Sequence, residues 1–242
     1  MESLLQVQNL SIHYCGRDRI QRRALDNLSL EIGAGETVGV LGPSGCGKTT
    51  LALAILRLLP KTARVVSGSI RFREHDMLGA DERTLQRIRG AEASIIFQEP
   101  AAALNPVMRV GDQIAEVVRA HMNGSRRSWR GEAESALAEV RLGDARIYTA
   151  YPHQLSAGQR QRIAIAQALV CKPTFLIADE PTSALDNTTQ AEILTLLKEL
   201  KQRLQIALLF ITHNPALLVG LADRLLIMTP KEPATFGNPS LC

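Results

Sequence analysis

What the chain lacks bounds the answer first. It has four cysteines in 242 residues, Cys15, Cys46, Cys171 and Cys242. Neither metal-ligand spacing nor the dense pairing of a small secreted scaffold is present, so free thiols in a reducing compartment are expected. No apolar run approaches the roughly 20 residues that a membrane span requires. The stretch Leu51 to Leu59 is interrupted by Arg57 and ended by Pro60. The start, MESLLQVQNL, has acidic and polar residues where a signal peptide needs a basic start and an apolar core. Internal repeats and low-complexity linkers are also missing. The net charge of +4 arises from interspersed signs, so no basic stripe calls for nucleic acid. The densest group, Arg126, Arg127 and Arg130, reads as a solvated helix face.

What is present reads as an α/β domain. The segments LLQVQNLSIHY and LDNLSLEI carry strand patterning, with apolar alternation at Leu28, Leu30 and Ile32. TVGVLG then leads into a glycine-rich loop and directly into the helical pattern TTLALAILRLL, a βα unit of a mostly parallel sheet. From about Arg83 to Ala168 the signal is mainly helical, clearest over Gln113 to His121 and Gly131 to Leu142. TFLIAD and ALLFIT are short apolar runs of the kind buried in a parallel sheet, with a helix over Gln190 to Leu204 between them and ADRLLIM as a further strand.

Gly42-Pro43-Ser44-Gly45-Cys46-Gly47-Lys48-Thr49, followed by Thr50, fits the eight-residue phosphate-loop pattern at every fixed position. Its glycines let successive backbone N–H groups point at one phosphate beside the positive end of a helix. Lys48 then neutralises phosphate oxygens, and the Thr49 hydroxyl is a Mg²⁺ ligand. Cys46 reads either as a small side chain packed beneath the loop or as a thiol made reactive by the helix start.

Asp179 and Glu180 tip an apolar strand, where α/β sheets place ligand chemistry. Asp179 is expected to hold Mg²⁺ and Glu180 to polarise the attacking water; in phosphoryl transfer, positioning and charge neutralisation do most of the catalysis. His213 after ALLFIT and Gln98 after the apolar run Ser94 to Phe97 also stand at strand ends. Alone, His213 would read as structural; beside a phosphate site both residues become candidates, Gln98 for the metal or the water.

Leu155-Ser156-Ala157-Gly158-Gln159 turns a generic nucleotidase into a family. The segment resembles the signature sequence of ATP-binding cassette (ABC) proteins, commonly Leu-Ser-Gly-Gly-Gln, and precedes a helix and the acid-tipped strand in the same order. The resemblance spans roughly residues 4 to 228. It implies a phosphate-loop NTPase core with an N-terminal antiparallel β subdomain and an inserted helical subdomain at about 99–165, within a nucleotide-binding domain over 1–230. It further implies ATP with Mg²⁺ as ligands and a head-to-tail pair, in which the Ser156 turn of one chain caps the γ-phosphate held by the other. Gln98 falls at the family's Q-loop, Ser183 to Asp186 at its D-loop, His213 at its switch histidine, and Tyr14 at the aromatic that stacks on adenine, although Tyr14 reads equally as core.

Phe97-Gln-Glu-Pro100, Ala103-Leu-Asn-Pro106 and Tyr151-Pro-His-Gln-Leu-Ser156 resemble the ATPases of oligopeptide, dipeptide and nickel importers. That resemblance implies two membrane permeases, an extracytoplasmic substrate-binding protein and an identical or homologous second ATPase. The expected location is then cytoplasmic, on the inner face of the membrane. Residues Glu99 to Asp112 would line a cleft for a short permease helix. An ATPase of a non-transport complex, such as an accessory subunit of phosphonate breakdown, would carry similar motifs. Three departures stand out. Ala157 replaces a glycine, which is costly if that position needs positive φ. Asn214 follows the switch histidine where an acid is common. The tail over 231–242, rich in Pro and Gly, is expected to be irregular.

Overall fold

The computed structural model describes residues 3–16, 21–99, 103–229 and 234–237. Cys242, Pro100 and most of the tail therefore lie outside the described residues. The chain divides into two compact units, one of Met1–Gln86 with Gln205–Cys242, the other of Arg87–Leu204.

In the first unit, β1 (Ser3–Cys15) pairs antiparallel with β2 (Gln21–Gly33) on one side and β4 (Ala63–Phe72) on the other, with the short β5 (His75–Asp76) beyond β4. Leu5, Val7, Leu10 and Ile12 of β1 and Leu28, Leu30 and Ile32 of β2 are buried. A strict two-residue period would put Leu10 on the opposite face from Val7. The register shifts between them, and Asn9 takes φ 49°. Asn27 does the same at φ 48° in β2. Asn tolerates the left-handed region better than most residues, and each displaced N–H finds a hydroxyl: Asn9 donates to Ser29 Oγ at 3.0 Å and Asn27 to Ser11 Oγ at 3.0 Å. The paired irregularities return the leucines to the core face.

The same unit carries β3 (Thr37–Leu41) flanked by the parallel strands β8 (Ala207–Thr212) and β9 (Arg224–Ile227). All of Val38, Val40, Leu209 and Ile211 are buried. α1 (Lys48–Ile55) stops before the helical pattern does. Arg57 enters the left-handed region at φ 51°, and Leu58 and Arg57 donate to the carbonyls of Leu53 and Ala54, a Schellman closure two residues ahead of Pro60. One correction concerns the tail: Thr235–Gly237 is not irregular but forms β10, antiparallel to β9 with Phe236 opposite Leu226.

The second unit holds β6 (Ala93–Ile96), parallel to β7 (Phe175–Asp179), every residue of which is buried. After α2 (Glu82–Ile88), which spans the sequence boundary of the units, the helices among its described residues are α3 (Val110–His121), α4 (Arg126–Glu139), α5 (Ala145–Thr149), α6 (Ala157–Leu169) and α7 (Asn187–Leu204). The helical segment expected at about 99–165 falls within this unit. Apolar side chains of α3, α4 and α6, among them Ile114, Val118, Leu137 and Ile163, are buried. Ser125 caps α4 through the N–H of Ser128. Arg126, Arg127 and Arg130 are exposed as the charge pattern predicts; Arg130 pairs with Glu134 at 2.8 Å and lies 4.6 Å over the Tyr148 ring. No helix among the described residues is long and apolar enough to cross a membrane.

Candidate functional site

The phosphate loop of the first unit joins β3 to α1. Two of its glycines are forced. Gly47 has φ 105°, and a Cβ there would meet Ala24 O at 2.4 Å; at Gly42 a Cβ would stand 2.3 Å from Met228 O. A loop free of side chains at these points can turn its amides inward. Lys48 is 5% exposed, and its ammonium donates to the carbonyls of Gly42 at 2.8 Å and Pro43 at 2.9 Å. That places a charge at the loop's mouth, where phosphate oxygens are stronger acceptors than carbonyls. Ser44, Gly45 and Thr49 are exposed, and Cys46 is buried beneath the loop at 7% exposure.

Tyr14, half-buried on β1, has its hydroxyl 3.3 Å from Thr50 Oγ1 at the start of α1. The aromatic is thus tied to the helix that the loop feeds. His213 follows β8, whose Thr212 lies opposite Leu41 of β3. His213 and Gly42 therefore leave the sheet at one edge, past the carboxyl ends of adjacent parallel strands, where such folds bind ligands. Asn214 replaces the expected acid without loss of the local turn. Its Oδ1 accepts from Ala216 N at 3.0 Å and caps a short 3₁₀ turn over Pro215–Leu217, a role Asn fills as well as Asp.

In the second unit, Ile96 of β6 lies opposite Ala178 of β7, so Gln98 and the acidic pair leave that strand pair at one end. Asp179 is 2% exposed. Gln98 Nε2 donates to Glu180 Oε2 at 3.3 Å, a contact that ties the two residues assigned to the attacking water. Glu180 itself takes φ 45°. A non-glycine residue in this region costs of the order of 1–3 kcal/mol and is typical of sites where geometry matters more than comfort. The turn is held by Ser183, whose N–H and hydroxyl both donate to Glu180 O, at 3.2 and 3.1 Å.

The signature segment opens α6. Ser156 Oγ accepts from Gln159 N at 3.2 Å, and Gln159 Oε1 accepts from Ser156 N at 2.9 Å, a reciprocal capping box. Leu155 is buried, while Ser156 and Ala157 are exposed. The N–H groups of Ala157 and Gly158 belong to the first turn, which has no acceptors within its own helix and attracts anions. Ala157 is an ordinary first helical residue, absent from the positive-φ positions, so its methyl group carries no conformational cost. Asp186 caps α7: Oδ1 accepts from Thr189 N at 3.0 Å and Oδ2 from the Thr189 hydroxyl at 2.7 Å. The Thr189 backbone N–H first, and its hydroxyl second, hold the Asp186 carboxyl below its ordinary range.

The metal ligands expected from the sequence are Thr49, Gln98 and Asp179. Hydroxyl, amide and carboxylate oxygens suit Mg²⁺, which prefers hard oxygen donors and takes few from protein when phosphates supply the rest. No group of three His, Cys, Asp or Glu able to hold a metal occurs among the described residues. Two contributors were not read from the sequence, the left-handed backbone of Glu180 and the donation by Thr189 to the Asp186 cap. The second was legible as Asp-x-x-Thr at a helix start; the first had no signal.

The sequence pattern described as "ABC transporter" matches residues 25–183. The chain belongs to the ABC transporter family. Within that family, the cassette is 42% identical over 243 residues to the glutathione import ATP-binding protein GsiA of Escherichia coli (strain K12), covering 98% of this chain and 39% of that protein. It is 44% identical over 227 residues to the probable peptide ABC transporter ATP-binding protein y4tR of Sinorhizobium fredii, covering 93% of this chain and 68% of that one. The cassette thus spans about two fifths of the GsiA relatives. Among solved structures, the dimeric post-hydrolysis state of the ATP-binding cassette MJ0796 bound to ADP and Pi superposes with a TM-score of 0.84 at 27% identity, covering 97% of this chain and 98% of that one. The fold is that of an ABC ATPase.

Proposed function

We propose that this cassette is the ATP-hydrolysing subunit of a solute importer, working as a head-to-tail pair with a second copy or a homologous ATPase. The observation that carries this reading is that one chain holds both a phosphate loop with Lys48 at its mouth and a capped anion-binding turn at Ser156. In the paired reading, each triphosphate is gripped by the loop of one chain and covered by the Ser156 turn of the other. Thr49, Asp179 and Gln98 are the residues that would hold Mg²⁺, which would supply charge neutralisation on the phosphates. Glu180, oriented by Gln98, accepts a hydrogen bond from the attacking water and so polarises it, and His213 holds the γ-phosphate edge. Tyr14 offers a face to the adenine.

Two membrane permeases and an extracytoplasmic binding protein complete the assembly, with the cassette on the cytoplasmic face. Support for a permease contact comes from the turn after Gln98. The buried Gln113 amide donates to Asn105 O and Met108 O, each at 2.9 Å, and accepts from Asn105 N at 2.9 Å. This clamp fixes the shape of the turn and leaves Val107 at its tip 82% exposed, where the proposed permease helix would meet it. The solute class follows the relatives: a short peptide such as glutathione, with nickel as the rival suggested by motif likeness.

The test is ATP binding and solute-stimulated hydrolysis in vesicles holding the permeases. Lys48→Ala should weaken ATP binding about tenfold to a hundredfold, the worth of charge-assisted hydrogen bonds to one ammonium. Unchanged affinity in that variant would remove the role given to the loop. Hydrolysis that ignores permeases and solute alike would remove the transport assignment.

A further inference from the structure

Thr189 stands on the first turn of α7, outside every motif assigned to nucleotide chemistry. Its hydroxyl donates to Asp186 Oδ2 at 2.7 Å. Its methyl group faces the other way. A Cβ built on Gly158, in the first turn of the signature helix, would lie 2.7 Å from Thr189 Cγ2 and 4.0 Å from Thr189 Cβ, with nothing else beyond that helix's own backbone within 4 Å. One half-buried side chain therefore touches both the signature turn and the Asp186 turn. The two arms of a β-branched residue are rigidly related at χ1, so the two turns are fixed to each other through a single carbon.

We propose that Thr189 is a positioning residue that locks the Ser156–Gly158 turn to the Asp186 turn, so that both meet the second cassette as one preformed surface. This rests on the paired reading above, in which those turns face the other chain. Each arm can be removed separately. Serine keeps the hydroxyl and loses the methyl; valine keeps the methyl and loses the hydroxyl. Alanine is otherwise the better helix residue than glycine, so the Thr189 methyl is the specific obstacle to Gly158→Ala.

Three measurements on the full chain decide it. In Thr189→Ser and Thr189→Val, the affinity of the isolated chain for ADP, set at the phosphate loop, should match the parent. The protein concentration giving half-maximal ATP hydrolysis should rise about threefold to tenfold, the effect of losing one hydrogen bond or one packed methyl. A residue serving only the stability of α7 would lower the melting temperature and leave that concentration unchanged, which would overturn the proposal. In the second arm, Gly158→Ala should melt below the parent, and Gly158→Ala with Thr189→Ser should recover most of the loss. Failure to recover would show that the methyl is not the obstacle and would overturn the lock. Parent turnover independent of protein concentration would instead strike the paired reading itself, and the lock would fall with it.

Discussion

At the scale of single residues, the site is paid for in backbone conformation and capped polar groups. Glu180 is the clearest case, because φ 45° at a carboxylate-bearing residue opposes its intrinsic preference. Glu180→Gly should raise stability by about 1 kcal/mol, seen as an increase of about 2–4 °C in melting temperature for a chain of this length, while abolishing turnover. An unchanged or lower melting temperature would show that no strain is held there. Asp186 gives a pH prediction. Its carboxyl lies below the ordinary value of 3.8 in the folded chain, so its cap contributes stability above that value. The contribution fades as pH falls through the lowered native value. Hydrogen exchange at the Thr189 amide should therefore lose protection in that acid window, and Asp186→Asn should flatten the response.

Among elements, packing decides what pattern alone leaves open. α3 approaches α5 so closely that a Cβ on Gly111 would lie 2.3 Å from the Tyr148 ring, and Tyr148 in turn donates to Asp112 Oδ1 at 3.2 Å. Gly111→Ala should cost about 1–3 kcal/mol, the usual range for overpacking, measured by denaturant unfolding. A loss near zero would mean that the two helices separate freely. Elements with a strong local signature were legible in the sequence: β7 and β8, apolar up to their last residue, the loop between β3 and α1, and the Ser156 helix start. The rest depended on contacts that a local window does not contain. Asn9 and Asn27 break the strand period because their N–H groups find serine hydroxyls on the neighbouring strand. β10 forms in a Pro- and Gly-rich tail because β9 offers it an edge. α1 ends early because Arg57 accepts a left-handed conformation. Of the site, residue identities were readable and geometry was not: nothing local announced the Gln98–Glu180 hydrogen bond or the ordinary helical backbone of Ala157.

On the scale of the whole molecule, the account depends on two chains completing each other's nucleotide sites. The solved cassette that superposes with a TM-score of 0.84 is itself dimeric, and the pair proposed for this chain draws on that likeness. The most direct measurement is the solution mass of Glu180→Gln by light scattering or sedimentation, with ATP and Mg²⁺ and again without nucleotide. With the triphosphate intact and hydrolysis slowed, the mass should be twice that of one chain, returning to one chain when ATP is withheld. A Glu180→Gln chain that binds ATP and yet keeps the mass of a single copy at every accessible concentration would contradict the account.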